Sequence, residues 1–298
     1  MAGSLLDHLI SSLWYANATR YLNAAGLTAL LYDHALTFPS EVSLIWCGPR
    51  SLQKYIFLLN RYMVPSILLV VAIEMTGFGT RALSNQSCQY IITTAALGST
   101  ISLATANLLV LLRVASLWEK DPVATKLLGV GFVLSTLSTF SSMVVALSRV
   151  YTSIQYFSVA SMCVLIQTTD VLIVAWSCPL VFEVVVLLST FWNAVSKPRD
   201  AQLPLARALH RDGMLVFLSL ATLRVVNLAL AATRRIDLVL LLVFFVWSMI
   251  TLILNRSLLR MRKAEIMDAL PETKSEQPPI ESKSAKRLRR TLQSGHVG

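Results

Sequence analysis

Long apolar runs constrain this chain more than any other feature. Several of them approach the roughly 20 residues that a helix needs to cross some 30 Å of hydrocarbon, with few or no charges inside them. In lipid no water is at hand to satisfy backbone groups, so spanning segments must be helices or the strands of a closed barrel. Barrel strands alternate apolar and polar residues over about 10 positions. These runs are longer and uniformly apolar, so they specify an all-α bundle. Only 14% of the 298 residues are charged, against about 25% in soluble domains. That leaves too little polar surface to cover a water-soluble globule.

Seven spans are expected, at about residues 21–38, 55–78, 89–114, 123–147, 168–195, 212–232 and 238–258. The first is the least apolar, with Asn23, Asp33 and His34 inside it or at its edge. Residues 1–16 read as a partly apolar leader. The first residues include Asp7 and His8 but no basic n-region, so the first helix is expected to act as its own insertion signal. Asn17-Ala18-Thr19 fits the glycosylation pattern, a weak signal this close to a membrane. The third span is studded with Ser, Thr and Ala, small residues that let helix backbones approach closely in a bilayer. Asp121 and Pro122 read as the N-cap and first position of the fourth helix. Pro65 and Pro179 fall inside spans, where they kink helices and are ordinary in membranes. Residues 17–260 thus form the membrane domain. Residues 261–298 are charged and contain prolines, and are expected to be a disordered basic tail.

The net charge of +10 follows the same organisation. The basic residues lie between apolar spans and in the tail, where topology and lipid headgroups account for them without nucleic acid. The odd-numbered loops hold Arg50 and Lys54; Arg113, Lys120 and Lys126; and Lys197, Arg199, Arg207 and Arg211. The even-numbered loops hold only Arg81, Arg149, Arg234 and Arg235. The basic excess therefore places the odd loops and the tail in the cytosol and the N-terminus outside. Trp46, Trp118 and Trp192 fall near the inner boundaries, as interfacial anchors should.

The stretch between the first two spans has a pattern of its own. It runs Tyr32-Asp33-His34, then Glu41-Val42, Trp46, Lys54 and the block Phe57-Leu58-Leu59-Asn60-Arg61-Tyr62. This pattern, over residues 20–65, resembles an uncharacterised fungal (basidiomycete) family of seven-helix membrane proteins with an N-terminal domain of unknown function. Leu112-Arg113-Val114 through Trp118 adds a smaller likeness after the third span. The resemblance implies a fungal multi-pass protein of a kind compared with G-protein-coupled receptors. It implies no ligand and no catalytic residue.

Ionisable groups inside spans are costly and are functional candidates by default. Glu183 sits near the middle of the fifth span and Arg224 near the middle of the sixth, at similar depth from their shared turn. They are expected to pair, first as a structural contact and otherwise as a ligand anchor or switch. Asn107, midway along the third span, is expected to bond between helices. Asp33, His34 and His210 could serve a metal or a proton relay. The preferred reading makes them interfacial groups that cap helix ends and bond to the turn at 40–50, because no zinc-type spacing is present. Asn60 and Arg61 are read as satisfying a helix terminus or reaching headgroups. Cys88 and Cys163 lie on the expected outer side, where a disulfide is permitted; spacing leaves a bridge and two unpaired thiols both open. Cys47 and Cys178 read as plain small residues. In the tail, Lys283, Lys286, Arg287, Arg289 and Arg290 suit anionic headgroups or simple solvation. Thr291 behind them is a candidate phosphorylation site.

Absences narrow the function. The seventh span has no lysine for a retinal Schiff base and no Asn-Pro-x-x-Tyr segment, and the sixth has no Trp-x-Pro. The likeness to rhodopsin-like receptors is therefore one of topology. No phosphate loop, nucleophile elbow or metalloprotease motif is present, so no catalytic residue, metal or cofactor is expected. The leading expectation is a non-enzymatic, receptor-like protein of the plasma membrane. The bilayer and anionic headgroups would be its partners, with a heterotrimeric G protein by analogy alone. A small-molecule or lipid transporter is the alternative.

Overall fold

In the computed structural model the chain is described over residues 2–76, 84–117, 122–158, 161–196 and 204–269. Seven α-helices and one β-hairpin are present there. They run α1 Ala2–Glu41, α2 Leu52–Thr76, α3 Asn85–Leu117, α4 Pro122–Val150, β1 Ile154–Phe157, β2 Met162–Leu165, α5 Val171–Ser196, α6 Pro204–Ala232 and α7 Ile236–Ala269. Residues Met1–Leu259 make one compact unit and Arg260–Gly298 a second.

Five helices are long and apolar enough to cross a membrane: α2, α3, α4, α5 and α7. In α6 the described apolar part is Leu218–Ala232. Several such helices in one chain make this a multi-pass membrane protein. The lipid-facing surface agrees, since Leu127, Leu134, Leu137, Val181 and Leu188 all stand exposed on α4 and α5.

Three boundaries differ from the sequence expectation. Residues 2–16 are not a separate leader but the first turns of α1, which then runs unbroken through the first expected span to Glu41. A wider-wound turn, Val42–Trp46, continues it. Helix α7 likewise runs on to Ala269, so the first residues after 260 are helical rather than disordered; residues 270–298 lie outside the described ones. The connection after α4, expected as a plain loop, contains the hairpin. Its strands pair antiparallel in the register Ile154↔Leu165 to Phe157↔Met162.

Close approaches set the helix spacing. A Cβ on Gly26 of α1 would stand 3.0 Å from Ser248 Oγ and 3.2 Å from the Phe245 backbone, so α1 and α7 touch where a larger residue would push them apart. The main core cluster gathers Leu27 and Leu30 of α1, Val64, Leu68 and Val71 of α2, and Phe244 and Trp247 of α7. The bundle has two distinguishable ends. One carries the hairpin and the α6–α7 turn; the other carries the α1–α2 turn.

Candidate functional site

At the α1–α2 end the charged residues of the 32–62 pattern meet one another. Arg61 Nε lies 2.5 Å from Glu41 Oε2, both side chains fully buried. Tyr62 donates its hydroxyl to Glu41 Oε1 at 2.8 Å, and the Trp46 indole N–H donates to the same oxygen at 3.1 Å. Arg61 Nη2 donates to Thr37 Oγ1 at 2.9 Å and to the His34 carbonyl at 3.2 Å. His34 Nε2 is 2.7 Å from the Arg61 carbonyl. Lys54 Nζ donates to the carbonyls of Trp46 and Gly48 at 2.9 and 3.2 Å, closing the otherwise orphaned carbonyls at the end of the turn. Asp33 pairs with Arg256 of α7, and Asn60 accepts from Ser102 of α3 at 2.6 Å. Tyr32 stands apart, exposed on α1.

This arrangement corrects two expectations. Asp33 and His34 do not bond to the turn at 40–50; they reach α7 and α2. Asn60 and Arg61 do not face headgroups; they are buried between helices. The cause is energetic. A charge without a partner is too costly in the interior, and the helix crossing brings acid and base from different segments to the same depth. The pattern is a clasp that joins α1 to α2, with ties to α3 and α7.

Deeper in the bundle, Arg224 of α6 places Nη1 2.8 Å from Glu183 Oε1 of α5 and 3.0 Å from Asn107 Oδ1 of α3. All three side chains are buried. Three further atoms of the group, Glu183 Oε2 and Arg224 Nε and Nη2, are buried and make no hydrogen bond among the described residues. Three helices thus converge on one charged knot that is only partly satisfied.

At the opposite end the hairpin is pinned from two sides. Cys88 at the start of α3 is disulfide-bonded to Cys163 of β2, with Cα atoms 5.4 Å apart. The Cys163 N–H donates to Glu74 Oε1 of α2 at 2.5 Å, and the Tyr156 N–H donates to Asn85 Oδ1 at 2.9 Å. Glu74 is buried, and the charge acting on it is that of Arg20. Sequence reasoning missed Glu74, although the rule that selected Glu183 applies to it equally. Glu74 and the two cysteines lie close enough to resemble a metal set. Their sulfurs are bonded to each other, so no thiolate is left for a metal.

Beneath the hairpin, between α3, α4, α5, α6 and α7, lies a cavity of about 140 Å³. Its wall is apolar in the main, with Met143, Trp176, Phe244 and Trp247 supplying bulk and Leu165 of β2 above. Leu103 and Asn227 line its depth, one helical turn from Asn107 and Arg224 respectively. The cavity floor therefore sits next to the charged knot.

Other sequence candidates stand away from these sites or lie outside the described residues. Asn17-Ala18-Thr19 lies inside α1, with Asn17 exposed and Thr19 buried, its hydroxyl donated to the Tyr15 carbonyl at 2.9 Å. Cys47 and Cys178 are unpaired. Trp192 is exposed, and so is Trp46 beyond its bond to Glu41. Trp118, Asp121, Lys120, Lys197, Arg199, Arg81, the tail basic residues and Thr291, with the side chains of Arg113, Arg207, His210 and Arg211, lie outside the described residues.

Fold and surface define a multi-pass α-helical membrane protein. A profile described as a family of unknown function (DUF6533) matches residues 21–66, the segment that builds the clasp. No curated protein matches the chain.

Proposed function

We propose that this is a seven-crossing, receptor-like membrane protein. It takes a small molecule into the cavity beneath the hairpin and answers through the Asn107–Glu183–Arg224 knot. The observation that carries the reading is the cavity itself: apolar, placed beneath a disulfide-pinned hairpin, with its floor one turn from a partly satisfied charge cluster. A ligand that settles on that floor and shifts α3 or α6 would alter which of the unmatched atoms are bonded. Such a differential contact is what any ligand-driven change of state requires.

Supporting the orientation, the hairpin end carries the disulfide, which suits an oxidising exterior, and the basic excess of the sequence falls in the odd-numbered loops. The buried carboxylates Asp33, Glu41 and Glu183 each face an arginine and Glu74 holds the Cys163 N–H, so no catalytic role is proposed. Coupling to a heterotrimeric G protein at the cytoplasmic face rests on topology alone.

The test uses the purified chain in nanodiscs. A panel of small lipophilic compounds should contain members that raise its thermal midpoint, and the gain should vanish in Ala175→Phe, which fills the cavity. Those compounds should then accelerate nucleotide exchange on an added Gα subunit. Flux of the same compounds into liposomes without exchange would favour a transporter instead. A panel with no stabilising member would sink both.

A further inference from the structure

The four hydroxyls of the cavity wall are already committed, and this limits what can enter. Ser99 and Thr100 donate to the Ala96 carbonyl at 2.8 and 2.9 Å, Thr139 donates to the Ser135 carbonyl at 2.8 Å, and Ser102 donates to Asn60 at 2.6 Å. Their hydroxyl protons are spent. Asn227 is different. It lines the cavity, is 6% exposed, and its amide has no hydrogen-bond partner among the described residues. An amide offers two donors and an acceptor. Leaving them unmet in an apolar wall is costly, so the site is incomplete without a polar atom from outside. Trp247 Nε1, a second buried donor in the same wall, also lacks a partner among the described residues.

No charged side chain lines the cavity, so an ion entering it would lose its hydration without a counter-charge. Size sets the other bound. An apolar cavity of about 150 Å³ takes up one benzene, and this one is about 140 Å³. A whole fatty acyl chain or sterol exceeds this volume and would have to protrude through its open side.

We propose that the cavity selects a neutral, lipophilic molecule about the size of a single small ring or short chain, bearing one hydroxyl or carbonyl that the Asn227 amide holds. The proposal rests on the cavity being the ligand site, and it names the chemistry of the occupant. A hydroxyl suits Asn227 best, because it accepts from Nδ2 and donates to Oδ1 at once. A carbonyl uses the donor alone.

The experiment compares toluene, benzyl alcohol, benzoate and benzylammonium, four probes of one shape that differ in the polar group. Saturable binding to the full chain in nanodiscs is measured by equilibrium dialysis, with empty nanodiscs subtracted. Benzyl alcohol should bind about tenfold more tightly than toluene, the fold-change of a single well-made hydrogen bond. The two charged probes should not bind saturably. In Asn227→Leu, which is close in volume, benzyl alcohol and toluene should bind alike. Asn227→Ser, which keeps a hydroxyl, should retain part of the preference and serves as the second variant should the leucine chain fail to fold. Equal binding of toluene and benzyl alcohol by the wild type, a preference that survives Asn227→Leu, or saturable binding of benzoate would each overturn the proposal while leaving the cavity as a binding site. Failure of both neutral probes to bind would overturn the proposal and the cavity reading together.

Discussion

Arg61 and Arg224 are both buried, yet they are satisfied to different degrees, and the difference separates a structural part from a responsive one. Arg61 meets a carboxylate, a hydroxyl and a carbonyl through two nitrogens and leaves only Nη1 without a partner among the described residues. Arg224 meets Glu183 and Asn107 through one nitrogen and leaves two without a hydrogen bond. Removing one partner of a buried pair strands the other charge, at about 3–5 kcal/mol, whereas removing both charges together is often near neutral. Glu41→Gln should therefore lower the thermal midpoint sharply, and Glu41→Leu with Arg61→Leu should recover a large part of it. The same comparison at Glu183 and Arg224 should also show a double variant more stable than Glu183→Gln alone. The Glu41 and Arg61 variants should leave probe binding in the cavity unchanged, since neither residue lines it. The Glu183 and Arg224 variants should abolish any response to a bound compound without abolishing its binding. Equal damage from single and double variants at either pair would show that the charges are not sealed from solvent.

Among the elements, the hairpin has the least support of its own. It has two strands of four residues each, and an isolated two-stranded hairpin is marginal at best. It persists because Cys163 is tied to α3 by a bridge across 75 residues and to α2 through Glu74. Cys88→Ser should cost about 2–4 kcal/mol and raise amide exchange across 154–165 far more than in the helices; uniform exchange would refute the pinning. The hairpin was not legible in the sequence, because strand pairing is a property of two segments together, and Ile154–Leu165 has no alternation strong enough to stand out between long apolar runs. Helices α2 to α5 and α7 were legible for the opposite reason: length and uniform hydropathy are local. The depth of Glu183 and Arg224 could be counted from a shared turn, so their meeting could be anticipated. Asp33 and Arg256 are separated by 223 residues, and no local count places them together. Glu41 and Arg61 lie on either side of a turn whose end the sequence does not mark, since α1 passes through Pro39 to Glu41.

At the scale of the whole molecule, the number of crossings turns on α1, which hydropathy alone does not select as a span. Its polar residues explain why, and their placement argues for a crossing all the same. Thr19, Asn23, Asp33 and Glu41 are buried, while Tyr21, Leu31, Tyr32, Leu36 and Phe38 are exposed. This is the inverse of a helix lying on a soluble core. Large polar groups turn inward to partners, beside Leu27 and Leu30, and several large apolar ones turn outward, the arrangement lipid demands. Residues 21–41 rise roughly 30 Å at about 1.5 Å per residue, the thickness of a hydrocarbon core. The proposed count of seven needs α6 to cross as well, and it then places the α1–α2 turn and the α6–α7 turn in opposite compartments. Native Cys47 is exposed beside the first turn, and Thr233 is exposed in the second. In intact cells a membrane-impermeant maleimide should label Thr233→Cys at once and leave Cys47 unlabelled until the membrane is permeabilised. Ile10→Cys, exposed on the early part of α1, should behave like Thr233→Cys, because a crossing α1 carries it to the hairpin side. Labelling of Ile10→Cys only after permeabilisation would keep α1 on the cytosolic side and reduce the count to six. Rapid labelling of Cys47 in intact cells would invert the bundle, and with it the access of any external ligand to the cavity.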